Sequence, residues 1–380
     1  MKSIMQKDLW SITSFLENKN YKFNKENILT QLPEKFIDEA IKAISSWDNY
    51  APTPLVKLNK LNDELKFKNI YYKDEDKRFD LKSFKALGGA FAVYKIASEK
   101  NNITVSTATA GNHGRSVAWG AQRLGLKCKI FISEFVSESR AEAMRKLDAE
   151  VIRVKGNYDN SLKECIKQSK ENNWEIVQDV SWEGYKEVPK LIMAGYTIMI
   201  KEILDEVKSN SISHVFLQAG VGGMAAAMIA GFAKLSQNIP KFIIVEPENA
   251  DCVFQSIKNN KPTSVDIKKE TVMGGMSCGD VSSIAWEILK NSSNYCLTIS
   301  DEAISTTVAL LAEKRLSDEK IIAGECAVPG IIALISSFNN KEYLDKLELN
   351  EQSNVLLFGC EGLTDSAMYQ KLLSDGLQKI

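Results

Sequence analysis

Residues 104–133 read TVSTATAGNHGRSVAWGAQRLGLKCKIFIS. A short β-branched run, Thr104–Thr107, leads into a turn of small residues and glycines. A helical stretch follows through Leu124, and a second strand-like run at Cys128–Ile132. Strand, helix and strand within about thirty residues make a βαβ unit, whose strands must lie parallel because the helix carries the chain back across the sheet.

The same alternation continues outward. Asn69–Lys73 reads as a strand, and Ser83–Ser98 as a helix with Ser83 in position to cap it. Downstream come a helix at Glu138–Leu147, a strand at Glu150–Val154, a helix at Asp159–Asn172 and a strand at Trp174–Val177. Later, His214–Leu217 runs into the glycine turn Ala219–Gly223 and a helix rich in Ala and Met; Phe242–Val245 and Val355–Phe358 are further strands. The expectation is an α/β protein with two open, mostly parallel sheets flanked by helices. The larger domain takes residues 1–85 and 200–380, and the smaller one residues 86–199. A ligand site is expected in the cleft between the sheets, outside the carboxyl ends of the strands.

Composition narrows the function. The 380 residues carry a net charge of −1, with 44% hydrophobic and 26% charged side chains. That balance supports a sizeable core and argues against nucleic-acid or anionic-membrane partners, which need a basic excess. Seven widely spaced cysteines form no C-x-x-C pair, so neither a zinc site nor a disulfide scaffold is expected. The first residues, MKSIMQKDLWSITSFLENKNYK, do not read as a signal peptide, and no apolar stretch is long enough to span a bilayer. A reducing cytoplasm is the expected location.

Four turns at strand ends carry the chemistry. In Ser83-Phe84-Lys85-Ala86-Leu87-Gly88-Gly89-Ala90, a lysine in the first turn of a helix meets the positive end of the helix dipole, which disfavours its charged form. A Schiff-base lysine needs a neutral amine; one more surface lysine is the bland alternative. The turn Thr107-Ala108-Thr109-Ala110-Gly111-Asn112-His113-Gly114 offers backbone N–H groups at a helix start, suited to a carboxylate. The Asn112 amide suits a phenolic oxygen. A structural, hydrogen-bonded role is expected for His113, and His214 has no marked feature. Gly220-Val221-Gly222-Gly223-Met224 has the form of a phosphate cradle, with tight helix–sheet packing as the alternative, and matches neither dinucleotide nor P-loop spacing. The fourth turn, Phe358 to Asp365, places Cys360 just past the last strand; taken alone, such a cysteine is a small apolar residue.

Together, in this order, the four turns resemble the fold-type II pyridoxal-phosphate family, which includes threonine and serine dehydratases and the tryptophan synthase β subunit. The resemblance implies pyridoxal 5′-phosphate as cofactor. Lys85 would form the Schiff base, with Phe84 beside it. Asn112 would bond the phenolic oxygen, Gly220, Val221, Gly222, Gly223 and Met224 would hold the phosphate, and Cys360 would face the pyridine nitrogen. Within that family the chain is similar to the diaminopropionate ammonia-lyases from about Tyr50 onward. The matching stretches are GNHGRSVAWGAQ (Gly111–Gln122), VQDVSWEGY (Val177–Tyr185), AGYTIM (Ala194–Met199), QAGVGGMA (Gln218–Ala225), VEPENADC (Val245–Cys252) and MGGMSCG (Met273–Gly279).

Two departures stand out. The family aspartate before GNHG is Ala110 here, whereas the second family carboxylate is kept as Asp179. The family's GESG is Gly324-Glu325-Cys326-Ala327. The resemblance therefore implies elimination of ammonia from a small amino acid, L-2,3-diaminopropionate, with Lys85 and Asp179 catalytic. Thr109, Ala110, Gly111, Asn112 and Asp179 would contact substrate, and the D-isomer is expected to turn over poorly. A homodimer is implied by resemblance alone. A threonine or serine dehydratase and a non-catalytic cofactor-binding protein are the alternatives. Cys252 and Cys278 are expected as free thiols, with a pairing left open.

Overall fold

In a computed structural model of the chain, residues 8–207 and 212–380 are described; the first seven residues of the segment read above for a leader lie outside them. The chain divides into two compact units, Met1–Gln31 with Pro52–Lys77 and Met199–Ile380, and Leu32–Ala51 with Arg78–Ile198.

The first unit holds a seven-stranded sheet. Its strands are β1 (Ile12–Glu17), β2 (Leu55–Lys57), β3 (Asn69–Asp74), β8 (His214–Gln218), β9 (Lys241–Pro247), β10 (Tyr295–Ile299) and β11 (Asn354–Gly359), and the second unit supplies β4 to β7. The order across the larger sheet is β1-β10-β9-β8-β11-β3-β2. The five inner strands are parallel, and the two edge strands are antiparallel. Strands β8 to β11 are nearly continuous runs of Val, Ile, Leu and Phe, buried at almost every position. A parallel sheet covered by helices on both faces requires such runs. The helix Gly223–Leu235 is apolar all round and buried along its length, as a helix must be when both faces are covered.

The second unit is a four-stranded, fully parallel sheet in the order β6-β5-β4-β7. Its strands are β4 (Thr104–Ala108), β5 (Lys127–Ser133), β6 (Ala149–Val154) and β7 (Glu175–Ile176). The βαβ reading of 104–133 holds, with the connecting helix at Asn112–Arg123.

The expected domain division needs correction. Residues 32–51 and 78–85, placed above in the larger domain, belong to the second unit. The reason is packing: the Trp47 ring lies 5.8 Å from both Phe79 and Trp119, and the Arg123 guanidinium sits 4.5 Å from the Trp47 ring centre. These residues come from three separate stretches of sequence, so no local pattern announces the cluster. Strands β1, β2 and β10 were not among the expected strands. β1, Ile-Thr-Ser-Phe-Leu-Glu, has no apolar alternation over its six positions, and β2 has only three residues.

Candidate active site

Lys85 is the first residue of the helix Lys85–Glu99, two residues later than expected. Ser83 still serves the helix start, since its Oγ accepts from Lys85 N (3.3 Å) and its carbonyl from Ala86 N (3.2 Å). The glycines that follow have a steric purpose. A side chain at Gly88 would begin 2.4 Å from the Tyr196 ring and 2.6 Å from Ile192 O. Only glycine lets the helix Glu187–Tyr196 press this close, and the approach fixes Tyr196 against Phe84, ring centres 4.6 Å apart.

The Lys85 ammonium forms an ion pair and hydrogen bond with Asp179 Oδ2. Asp179 follows Gln178, a fully buried amide that works as a fastener. Gln178 Oε1 accepts from Thr107 Oγ1 (2.9 Å) and Ala108 N (3.1 Å), while Nε2 donates to Ala108 O (2.9 Å) and Tyr158 (2.7 Å). The Gln178 backbone N–H donates to Tyr185 Oη (2.9 Å), and that hydroxyl donates to Ile176 O (2.8 Å). Six bonds thus tie the segment carrying Asp179 to the end of β4, to Tyr158 and to its own strand. His113 is buried beside it, Nδ1 3.7 Å from Asp179 Oδ2 and Nε2 2.8 Å from Val177 O.

Charge follows from this geometry. Burial acts to raise the Asp179 carboxyl, but the positive charges beside it, His113 once protonated at low pH and the Lys85 ammonium, outweigh it and hold Asp179 below the usual carboxylate range. Burial pushes the His113 imidazole down, against the pull of Asp179 and with the push of Lys85, so the ring is neutral at neutral pH. Burial raises the Tyr196 hydroxyl above its ordinary value, with the Lys85 charge acting the other way.

The carboxylate turn differs in detail from its sequence reading. The Thr109 amide is committed to Phe131 O (3.1 Å), and Thr109 Oγ1 accepts from the amides of Gly111 (3.0 Å) and Gly114 (3.2 Å). The Thr109 and Gly111 amides expected to grip substrate therefore already have partners, Phe131 O on β5 and Thr109 Oγ1. Asn112 opens the helix Asn112–Arg123. Arg140, which the sequence reading passed over, lies across this turn: its Nη1 donates to Ala110 O (3.4 Å), and its Cδ is 3.6 Å from where a Gly111 side chain would begin.

In the first unit the glycine loop has the form of an anion cradle. Gly222 sits at φ +88°, the left-handed region that only glycine enters freely, and this turns the chain into the helix Gly223–Leu235. At Gly223 nothing lies within 4 Å of where a side chain would start, so space opens at the helix N-terminus. Backbone N–H groups at the positive end of a thirteen-residue helix could hold a phosphate dianion there. Met224 follows in the first turn, and Val221 O accepts from Ser282 N (2.9 Å). Cys252 donates its thiol proton to Gly220 O (3.5 Å), and Cys278 Sγ lies 3.0 Å from where a Gly220 side chain would begin; neither cysteine is in a disulfide. Cys360, just past β11, donates to Cys326 O (3.2 Å). Gln218 Nε2 bonds the same carbonyl (3.0 Å) and Phe358 O (2.7 Å), joining the ends of β8 and β11. In the altered Gly324-Glu325-Cys326-Ala327 segment, Cys326 N donates to Glu361 Oε1 (3.1 Å).

Comparison with known proteins agrees with this assembly of parts. Residues 47–361 match the family described as pyridoxal-phosphate dependent enzyme. The chain is 34% identical over 352 residues to the diaminopropionate ammonia-lyase of Escherichia coli K12, covering 86% of this chain and 88% of that one. The crystal structure of the Escherichia coli enzyme in complex with D-serine superposes with a TM-score of 0.89 at 30% identity, covering 97% of this chain and 99% of the other. A second crystal structure of that enzyme, with an aminoacrylate-PLP azomethine reaction intermediate, gives a TM-score of 0.89 at 31% identity over the same shares of the two chains. Among the described residues no helix is long and apolar enough to cross a membrane. The chain belongs to the pyridoxal-phosphate dependent enzymes, in the fold-type II group that includes the diaminopropionate ammonia-lyases, and its cofactor is pyridoxal 5′-phosphate.

Proposed function

We propose that this chain is a carbon–nitrogen lyase that eliminates the β-amino group of L-2,3-diaminopropionate, giving pyruvate and two ammonia molecules. The observation that carries the reading is the pairing of Lys85 with Asp179, an anion already positioned to hold a cation. A diamino acid brings a β-ammonium that serine and threonine lack, and a cation taken out of water needs a partner. The likeness to diaminopropionate ammonia-lyases supports the same substrate.

In this reading Lys85 is the covalent anchor of the cofactor, and the loop from Gly220 to Met224 holds the phosphate. Asn112 would bond the phenolic oxygen, Phe84 would flank the anchor and Cys360 would face the ring nitrogen. Pyridoxal phosphate, when bound, supplies the electron sink for negative charge at the α-carbon. Cys360 is a thiol, which cannot keep a ring nitrogen protonated as a carboxylate would, and this favours prompt loss of the β-group. With the cofactor bound, Lys85 Nζ would be the base that takes the α-proton. The Cβ–N bond then breaks, its electron pair leaving with nitrogen as ammonia from the ammonium that Asp179 holds. The three-carbon enamine left behind hydrolyses to pyruvate and the second ammonia. The turn Thr109–Asn112 binds the substrate carboxylate, which would replace Thr109 Oγ1 as acceptor for the Gly111 amide.

Ala110 sharpens the stereochemistry. It stands where the family carries an aspartate assigned to the D-isomer, so the L-isomer is the substrate. A structure of the Escherichia coli enzyme holds D-serine, so the D-isomer is the comparison that tests this reading. The enzyme acts in the cytoplasm, as a homodimer. The test is a single assay of the cofactor-loaded protein on L- and D-diaminopropionate, L-serine and L-threonine, reading pyruvate or 2-oxobutyrate. L-Diaminopropionate should be turned over best. Comparable turnover of the D-isomer would refute the stereochemical reading, and a preference for threonine would make the chain a dehydratase, the reading that Ala110 otherwise favours.

A further inference from the structure

Two side chains of the second unit converge on one oxygen of a third, Asp179 Oδ2: the Lys85 ammonium bonds it, and His113 Nδ1 lies 3.7 Å away. The other ring nitrogen fixes the tautomer. His113 Nε2 is 2.8 Å from Val177 O, and a carbonyl only accepts, so Nε2 carries a proton. A neutral ring has one N–H, which leaves Nδ1 aiming a lone pair at a carboxylate oxygen. Nδ1 has no hydrogen-bond partner among the described residues, and the ring is buried. Buried polar atoms are nearly always satisfied, so an orphan acceptor facing an anion asks for a proton between the two.

Lys85 is what makes the proton unnecessary here, because its ammonium stands beside Oδ2. A lysine bonded to a cofactor no longer holds that place as a free ammonium. The other groups around the cluster do not substitute for it. The Tyr185 hydroxyl is committed to Ile176 O and Gln178 N, and burial keeps both it and the Tyr196 hydroxyl uncharged through neutral pH.

We propose that His113 is a positioning residue for Asp179, taking up a proton at Nδ1 whenever no cation stands beside Oδ2 and releasing it to solvent when the substrate's β-ammonium arrives. This rests on the reading of Lys85 as cofactor anchor and of a diamino acid as substrate. The exchange is one cation for another: the Nδ1–H bond breaks, the proton leaves, and the ammonium takes over the charge of Oδ2. A substrate with a neutral β-group has no charge to offer, so the exchange selects diamino acids over serine.

The protein's two histidines make the test direct. His214 lies in the first unit, bonded to Leu347 O and Ser213, and serves as reference. Side-chain nitrogen NMR of the full chain without cofactor is recorded across pH for wild type, Lys85→Met and the double variant Lys85→Met with Asp179→Asn. In wild type His113 should stay the Nε2–H tautomer down to a depressed pKa. Loss of the Lys85 charge should raise that pKa by roughly 1–3 units and bring up an Nδ1–H signal. Adding Asp179→Asn should abolish the rise, and His214 should not move. A His113 titration that is unchanged in Lys85→Met, or equally raised in the double variant, overturns the proposal. In the loaded enzyme, His113→Gln keeps a donor for Val177 O but no titrating nitrogen. KM for L-diaminopropionate should then lose its rise at acidic pH while kcat changes only a fewfold; a pH profile of unaltered shape overturns the proposal. The NMR reads the protonation and the pyruvate assay reads the function, so either can fail without the other.

Discussion

Asp179→Asn separates charge from hydrogen bonding at the centre of the site. Asparagine keeps the shape and an acceptor oxygen but removes the negative charge that Lys85 meets and that a β-ammonium would meet in its place. Asp179 is 14% exposed and Lys85 27%, so the pair is partly shielded from solvent. At an effective dielectric of about 20, unit charges about 4 Å apart attract by about 4 kcal/mol. At 1.36 kcal/mol per decade, that is about a thousandfold in kcat/KM for a cationic β-group. A β-hydroxyl carries no charge, so the serine reaction should lose less than about tenfold. The measurement is kcat/KM for L-diaminopropionate and L-serine, in wild type and variant, by coupled pyruvate release. The reasoning is refuted if the two substrates lose activity equally, or if the diaminopropionate reaction falls less than tenfold.

Other perturbations test the frame around the site. Lys85→Ala should lose the visible absorbance of the covalently bound cofactor together with pyruvate formation, read by spectrophotometry and assay. Arg140→Ala removes the cation lying on the Ala110 carbonyl and should raise KM for every amino-acid substrate while leaving kcat nearly intact. Lys73 and Glu202 form a fully buried ion pair at 2.6 Å, with Lys73 also donating to Thr53 O. Lys73→Met alone should cost about 3–5 kcal/mol by stranding Glu202, and pairing it with Glu202→Met should recover most of the loss, both read by denaturant unfolding. Glu246 accepts from the amides of Val253 (2.9 Å) and Phe254 (2.7 Å) at the start of the helix Cys252–Asn259. Glu246→Ala strands two buried N–H groups, costs about 1–3 kcal/mol for each, and should lower the thermal midpoint.

Periodicity made most of the fold legible. Strands β3, β4, β5, β6, β8, β9 and β11 lie where their β-branched and apolar runs place them, because a buried parallel strand has to be such a run. The edge strands β1 and β2 were not legible, since an edge strand is short and half solvated and its partner decides its conformation. β10, Tyr-Cys-Leu-Thr-Ile, is as apolar as its neighbours, yet it lies between two stretches with no diagnostic turn. The domain boundary failed for a different reason. Residues 32–51 are held by aromatic contacts to Phe79 and Trp119, which are remote in sequence.

At the site, what the sequence showed was the part that backbone conformation dictates. Glycines at 220, 222 and 223 and a lysine two residues after Ser83 are turn chemistry, readable one segment at a time. Gln178, His113 and Arg140 were not readable in that way, because each acts on a segment 30 or more residues distant. Gln178 sits 70 residues from Ala108 and fastens it with two bonds, and His113 reaches Asp179 only because Nε2 is pinned to Val177 O. The reading of His113 as a structural histidine was correct for Nε2 and incomplete for Nδ1. A single residue type tells what a side chain can donate or accept; only the fold tells which of its atoms is already committed. At His113 one nitrogen is committed and the other faces the carboxylate that Lys85 neutralises. The charge state of this cluster is therefore set by whichever cation stands at Asp179, and substrate choice should follow from that.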